Sequence, residues 1–301
     1  MKSFQMQLAD IPAVQRSIPS ALTRPIMLAS PHSGRAYPTS FVEQSRLNHA
    51  TLRRSEDFCI DLLFDFAPSI GIPIICAEFP RCYVDVNRGA DELDPILFLQ
   101  KEHTKATPIS RRVANGLGVI PRVVGAGVEI YGEKLTLAEG RARLDQFHQP
   151  YHSAVKALAE QVSATFKTSL FIDCHSMPDS AAGRKLPAGK TTDIVIGDLH
   201  GQACAPRVTQ AAVITLREMG YSVSRNDPYA GGYTTQTYGR PAMGRHCLQL
   251  EINRRLYMDE RRLKLTASFD TLQRDMRRFV EHMANVMEEM NRADPTAIAA
   301  E

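Results

Sequence analysis

Two histidines and one glutamate occupy places in the chain where an apolar strand ends or should run on uninterrupted. His32 follows a strand-like run in LASPHSGRAYP, His175 follows another in LFIDCHSM, and Glu251 sits inside CLQLEIN. A carboxylate buried without a partner is costly, so Glu251 needs a cation, a metal or a hydrogen-bond network opposite it. A salt bridge to Arg254 or Arg88 would meet that need, and so would service as a general base acting on a metal-activated water. Each histidine taken alone is more simply a structural residue than a ligand. Together they fit another use, because ligands of open α/β sheets gather at the carboxyl ends of strands.

Two histidines need a carboxylate to complete a three-ligand catalytic zinc site with its fourth position open. Asp57 and Glu56 stand at the start of a predicted helix over Ser55–Ala67 and are candidates for it. The simpler reading of both acids is pairing with the helix N-terminus, worth about 0.3–1 kcal/mol each. The run PRCYVDVNRG at 80–89 delivers Asp85, Asn87 and Arg88 near the end of a short predicted strand, Tyr83–Val86. An arginine fork beside an amide suits a carboxylate ligand, although an Asp85–Arg88 or Arg81–Asp85 ion pair would use the same residues to hold a turn. The stretch PYAGGYTT at 228–235 reads as a glycine hinge beside hydroxyls, either a loop closing over substrate or an ordinary turn.

These residues need a framework. The chain has 301 residues, with 44% hydrophobic and 23% charged residues, the balance of an ordinary globular protein. A net charge of +3 is too small and too evenly spread for a nucleic-acid binder. No apolar run approaches the ~20 residues of a membrane span, and the polar start is unlike a signal peptide. Six cysteines without a CxxC spacing read as reduced, buried thiols of a cytoplasmic protein. No GxxxxGK[ST], GxGxxG or GxSxG motif occurs, which disfavours nucleotide binding and serine-hydrolase chemistry.

Short apolar runs at Pro25–Ser30, Ile72–Ala77, Ser169–Cys174, Asp193–Gly197, Tyr221–Ser224 and Cys247–Ile252 predict strands buried on both faces. Between them, helices are predicted over Thr136–Phe166, bent near Pro150, over Ala203–Met219 and over Arg261–Met290. Asp179–Thr192 is expected to be a mobile surface loop. The alternation predicts an α/β fold in a single domain over residues 1–301.

The sequence resembles the N-formylglutamate amidohydrolase (deformylase) family. The resemblance rests on SPHSG at 30–34, Asp57, PRCYVDVNRG at 80–89, GLGVIPRV at 116–123, PYH at 150–152, DCHSM at 173–177, GGYTT at 231–235 and LQLEINRRLYMDE at 248–260. That family is similar in turn to the zinc carboxypeptidases and to the aspartoacylase/succinylglutamate desuccinylase group. The resemblance implies a mixed central sheet flanked by helices, zinc-carboxypeptidase-like, with one catalytic zinc or similar divalent ion. It implies the ligands His32 and His175, with Glu251 as general base. Those relatives carry their carboxylate ligand in HxxE, but Arg35 stands at that position here, so Asp57 is the expected third ligand, with Glu56 second.

The implied reaction is hydrolysis of N-formyl-L-glutamate to L-glutamate and formate, the end of one route of histidine degradation. Zinc would polarise the formyl oxygen and lower the pKa of its water, and Glu251 would move a proton from that water to the leaving nitrogen. Asn87 and Arg88 would hold one substrate carboxylate, with Arg81, Arg122 or Arg240 available for the second. Tyr233 and Thr234 would line the closing loop. The expected partner is a small N-acyl amino acid, with no nucleic acid or membrane. The alternatives are a hydrolase of another N-acyl amino acid or of a peptide C-terminus on the same scaffold, and a non-catalytic amino-acid-binding protein.

Overall fold

The computed structural model describes residues 4–99, 110–125, 127–182 and 191–292. The chain divides into two compact units, one built from residues 1–15, 31–58 and 76–155, the other from 16–30, 59–75 and 156–301.

In the first unit, Phe4–Met6 pairs in parallel with Ala36–Pro38, and Val123–Val124 pairs antiparallel with Val128–Glu129. Helix α1 (Leu137–Arg143) starts from a capping box, in which Thr136 and Glu139 each satisfy the other's backbone N–H. It continues through a π-helical stretch, Leu144–His148, into helix α2 (Gln149–Thr165). The widened turn lies directly before Pro150, where the backbone lacks a donor, so the helix predicted over 136–166 changes its ladder at the expected place.

The core of this unit is aromatic and contains a buried cation. The Arg143 guanidinium lies 4.3 Å from the Tyr83 ring centre and 5.5 Å from that of Tyr131. It also donates to the Tyr131 hydroxyl at 2.6 Å. Aromatic faces and a hydroxyl replace the water this charge has lost.

Tyr83–Val86, predicted as a strand, is a run of turns instead. Tyr83 N–H bonds back to the Pro80 carbonyl, Asp85 N–H to Val119 and Arg88 N–H to Asp85, so the backbone groups a strand would offer sideways are taken by turn and loop carbonyls.

The second unit carries a seven-stranded sheet. Its strands are β1 (Gln15–Ser17), β2 (Ile26–Ser30), β3 (Ile74–Cys76), β4 (Ser169–Met177), β5 (Ile194–Gly197), β6 (Val223–Arg225) and β7 (Arg245–Asn253). Their spatial order is β6-β5-β7-β4-β2-β3-β1. β7, β4 and β2 run parallel, while β5 is antiparallel to β7, so the sheet is mixed. Every residue of β4 is buried, as the continuous apolar run requires. β4 extends through His175 to Met177, so this histidine lies within the strand and not after it.

Helices α3 (Pro206–Glu218) and α5 (Phe269–Arg292) pack against each other. α5 buries Leu272, Met276, Phe279, Val280, Met283, Met287 and Met290 along one face. Burial of such side chains contributes about 1.5–3 kcal/mol each before side-chain entropy is subtracted. The helix begins eight residues later than predicted because Met258–Asp259 and Lys264–Leu265 form a small antiparallel ladder ahead of it.

The helix predicted over Ser55–Ala67 is broken into pieces: a 3-10 turn at Arg53–Ser55, a short helix at Ile60–Leu63 and a second 3-10 turn at Ala67–Ile70. Cys59 takes a left-handed conformation at φ 57°, which interrupts any helix from Asp57 onward. Ser55 bonds to the Leu52 carbonyl and caps nothing. Of the loop expected at Asp179–Thr192, Asp179–Ala181 forms a 3-10 turn, and residues 183–190 lie outside the described residues. All six cysteines are buried and none is in a disulfide. Among the described residues no helix is long and apolar enough to cross a membrane.

Candidate active site

His32 lies two residues beyond the end of β2 in a tight turn that Gly34 makes feasible. A Cβ at Gly34 would overlap the backbone carbonyl of Phe79. The His32 carbonyl accepts the N–H of Asp57 at 3.0 Å, so the backbone itself sets Asp57 beside the histidine. His32 Nδ1 is 3.5 Å from Asp57 Oδ2, and His32 Nε2 is 2.8 Å from Asp85 Oδ1. Arg81 spans both acids, 3.6 Å from Asp57 Oδ1 and 2.9 Å from Asp85 Oδ2.

Burial alone would raise the Asp85 carboxyl, but the charges of His32, Arg81 and Arg88 outweigh it. They hold this acid well below the ordinary carboxylate range. Burial also pulls the Arg88 guanidinium below its usual value. Arg88 donates to the carbonyls of Leu117 and Asn87 at 3.1 and 2.7 Å. The Asn87 N–H bonds to Asp85 Oδ1 at 2.9 Å. Arg81, Asn87 and Arg88 therefore share one buried carboxylate.

The other arginines singled out from the sequence have partners of their own. Arg122 pairs with Asp94 at 2.9 Å and with Glu129 at 3.3 Å. Arg240 donates to the carbonyls of Gln236 and Gly239. Glu56 accepts from Tyr37 Oη at 2.9 Å and from Arg53 Nε and a second guanidinium nitrogen at 3.0 and 3.1 Å. Burial raises its pKa despite Arg53.

In the second unit, His175 on β4 stands opposite Glu251 on β7 in the parallel register. Alternation places Asp173 with His175 on one face of the sheet, and Gln249 with Glu251 on the same face. Asp173 Oδ2 is 3.0 Å from His175 Nε2. The Gln249 side-chain amide donates to Glu251 Oε1 at 2.8 Å. Arg254, the alternative partner for Glu251, donates to Ser176 Oγ at 3.2 Å.

The glycine hinge at 231–235 does not lead into an open loop. Gly231, at φ 136°, turns the chain, and Tyr233–Tyr238 forms helix α4, with Gly232 and Thr235 satisfying each other at its start. Thr234 is buried and Tyr233 half-buried on that helix. Hydroxyl-rich residues after two glycines suit a helix start as well as a lid, and here the cap decides.

His32 and Asp57 in the first unit and His175 in the second are all buried, and they form a candidate group for holding a metal ion. Glu56 is not in this group. Two imidazoles and one carboxylate are a donor set that divalent zinc accepts in catalytic sites. Each imidazole has a carboxylate other than Asp57 against its Nε2, Asp85 for His32 and Asp173 for His175. That pattern fixes the tautomer of a metal-binding histidine and leaves Nδ1 as its ligand atom. The residues fit a divalent cation. Neither second acid was marked from the sequence as a histidine partner, although Asp173 precedes His175 by two residues on a strand, the spacing that shares a face.

A profile of the N-formylglutamate amidohydrolase family matches residues 24–258. The chain belongs to this family. Among relatives, the N-formylglutamate deformylases of Pseudomonas putida and Pseudomonas aeruginosa are 27% and 28% identical to it over 239 residues. Those alignments cover 78% of this chain and 82–83% of the Pseudomonas proteins. The crystal structure of the N-formylglutamate amidohydrolase from Ralstonia eutropha JMP134 superimposes with a TM-score of 0.82 at 35% identity, covering 93% of this chain and 98% of that one. The Agrobacterium tumefaciens gene product Atu2144 shares the fold, with a TM-score of 0.60 at 18% identity, covering 92% and 98%. Membership of the N-formylglutamate amidohydrolase family makes this chain an enzyme of the amide-hydrolysing class, on the mixed α/β scaffold that its sequence predicts.

Proposed function

We propose that this chain acts as one catalytic domain that hydrolyses N-formyl-L-glutamate to L-glutamate and formate. The observation that carries this reading is the buried group of His32, Asp57 and His175 in a member of this amidohydrolase family. These three residues would hold a divalent cation, zinc first. When bound, the cation would supply Lewis acidity to the formyl oxygen and lower the pKa of a water toward ~7.

Glu251, steadied by Gln249, takes a proton from the attacking water and delivers it to the leaving nitrogen. Without that proton the nitrogen would have to depart as an amide anion. The new C–O bond to the formyl carbon replaces the C–N bond, so the products are formate and glutamate with its free amino group. Asn87 and Arg88 hold one substrate carboxylate by a directional amide and a guanidinium fork. Arg81, a quarter exposed, takes the second. Arg122 and Arg240 are the alternatives for it, and each of these arginines, like Arg81 and Arg88, would exchange a present partner for the substrate. Tyr233 and Thr234 on α4 line the substrate. The reaction would be the last step of cytoplasmic histidine degradation.

The experiment is a comparison of kcat/KM for N-formyl-, N-acetyl- and N-succinyl-L-glutamate, with N-formyl-L-aspartate as the side-chain control. N-formyl-L-glutamate should be the best of the four. A higher value for the acetyl or succinyl compound would transfer the assignment to another N-acyl amino acid.

A further inference from the structure

Five consecutive carbonyls, from Asp85 to Gly89, each have a donor. The Asp85 carbonyl accepts the N–H of Arg88 at 3.2 Å, and the Gly89 carbonyl accepts that of Glu92 at 2.9 Å. The Asn87 carbonyl accepts the Arg88 guanidinium at 2.7 Å. The remaining two are taken by histidines. His152 Nε2 lies 2.8 Å from the Val86 carbonyl, and His148 Nε2 lies 2.8 Å from that of Arg88.

The two histidines are four residues apart, on one face of the continuous helical stretch leading into α2. Their ring centres are 4.5 Å apart. A carbonyl oxygen only accepts, so both Nε2 atoms carry hydrogen. A rigid pair of rings on a helix thus grips alternate carbonyls of the turn that carries Asn87 and Arg88.

We propose that His148 and His152 are positioning residues for substrate recognition, fixing the turn so that Asn87 and Arg88 meet a substrate carboxylate in a single orientation. This rests on the role given above to Asn87 and Arg88. A pair that only stabilised the turn would affect folding without altering substrate preference.

Glutamine and asparagine separate the two roles. The glutamine amide nitrogen reaches as far as imidazole Nε2, whereas that of asparagine stops near the position of Nδ1. His152→Asn and His148→Asn should each raise KM for N-formyl-L-glutamate about tenfold, the effect of one buried hydrogen bond. The kcat should fall less than about threefold, since the reacting groups are untouched. Preference for the free dicarboxylate over its α-amide should drop by the same factor as KM rises, and the matching glutamine variants should recover most of the loss.

Equal KM for the asparagine and glutamine variants, or a fall confined to kcat, overturns the proposal. If neither asparagine variant folds, the pair serves folding and the proposal also fails. Inactivity of the wild-type protein on N-formyl-L-glutamate would sink the functional reading. Wild-type turnover with indistinguishable variants would sink only the positioning role.

Discussion

A single oxygen, Asp85 Oδ1, lies 2.8 Å from His32 Nε2 and accepts the backbone N–H of Asn87 at 2.9 Å. One carboxylate thereby ties a candidate metal ligand to the turn that offers Asn87 and Arg88. The arrangement makes metal affinity sensitive to a residue that donates nothing to the metal. Asp85→Asn should weaken zinc binding about 10–100-fold, the usual effect of losing such an outer partner. Competition against a chromophoric chelator reads this directly, and unchanged affinity would remove Asp85 from the account.

Glu251→Gln keeps the shape of the side chain and leaves an oxygen to accept from Gln249. The variant should fold with an unchanged thermal midpoint and lose about 10²–10⁴-fold in kcat, the range of a general base. Retention of near wild-type kcat would show that Glu251 is a buried structural acid.

Much of this was legible in the sequence. The apolar runs around His32, His175 and Glu251 located β2, β4 and β7, because fully buried strands leave a continuous hydrophobic signal. Asp57 was identifiable only through the resemblance to the family. The periodicity that suggested a helix under it is broken by left-handed Cys59, and apolar residues there are buried without forming one stripe. Tyr83–Val86 is not a strand for a related reason: Tyr83 bonds back to Pro80 and Asp85 reaches the distant Val119 carbonyl, a mixture that leaves no periodic pattern. The sequence shows Asp85 only as an arginine partner, because its second contact, with His32, lies 53 residues away in the chain.

Gly34 stands against the Phe79 backbone with no room for a side chain. Gly34→Ala must displace a carbonyl and should destabilise the protein by about 1–3 kcal/mol, the range for overpacking. Denaturant melts report it, and an unaltered midpoint would mean that the His32 turn can move away from the Phe79 carbonyl at little cost.

His246 is buried, accepts the Ala205 N–H at Nδ1 (3.3 Å), and has its pKa lowered by burial to about 4. Its folded value is below the unfolded ~6.5, so the unfolded chain takes the proton first. Stability is therefore unaffected above ~6.5 and declines as pH falls from there toward 4, by about 1.4 kcal/mol per unit from this group. His246→Asn keeps an acceptor but cannot titrate, so its melts between pH 6 and 4.5 should fall less steeply than those of the wild type. Parallel slopes would contradict this.

Under the proposed function, His32, Asp57 and His175 hold a divalent cation that amide hydrolysis requires. This is tested most directly by measuring formate release from N-formyl-L-glutamate with chelator-stripped protein, followed by single additions of zinc, cobalt, manganese and magnesium. Activity should vanish on stripping and return with zinc or one close substitute, and His175→Ala should block the return. Full turnover by protein shown to be free of metal would contradict the account.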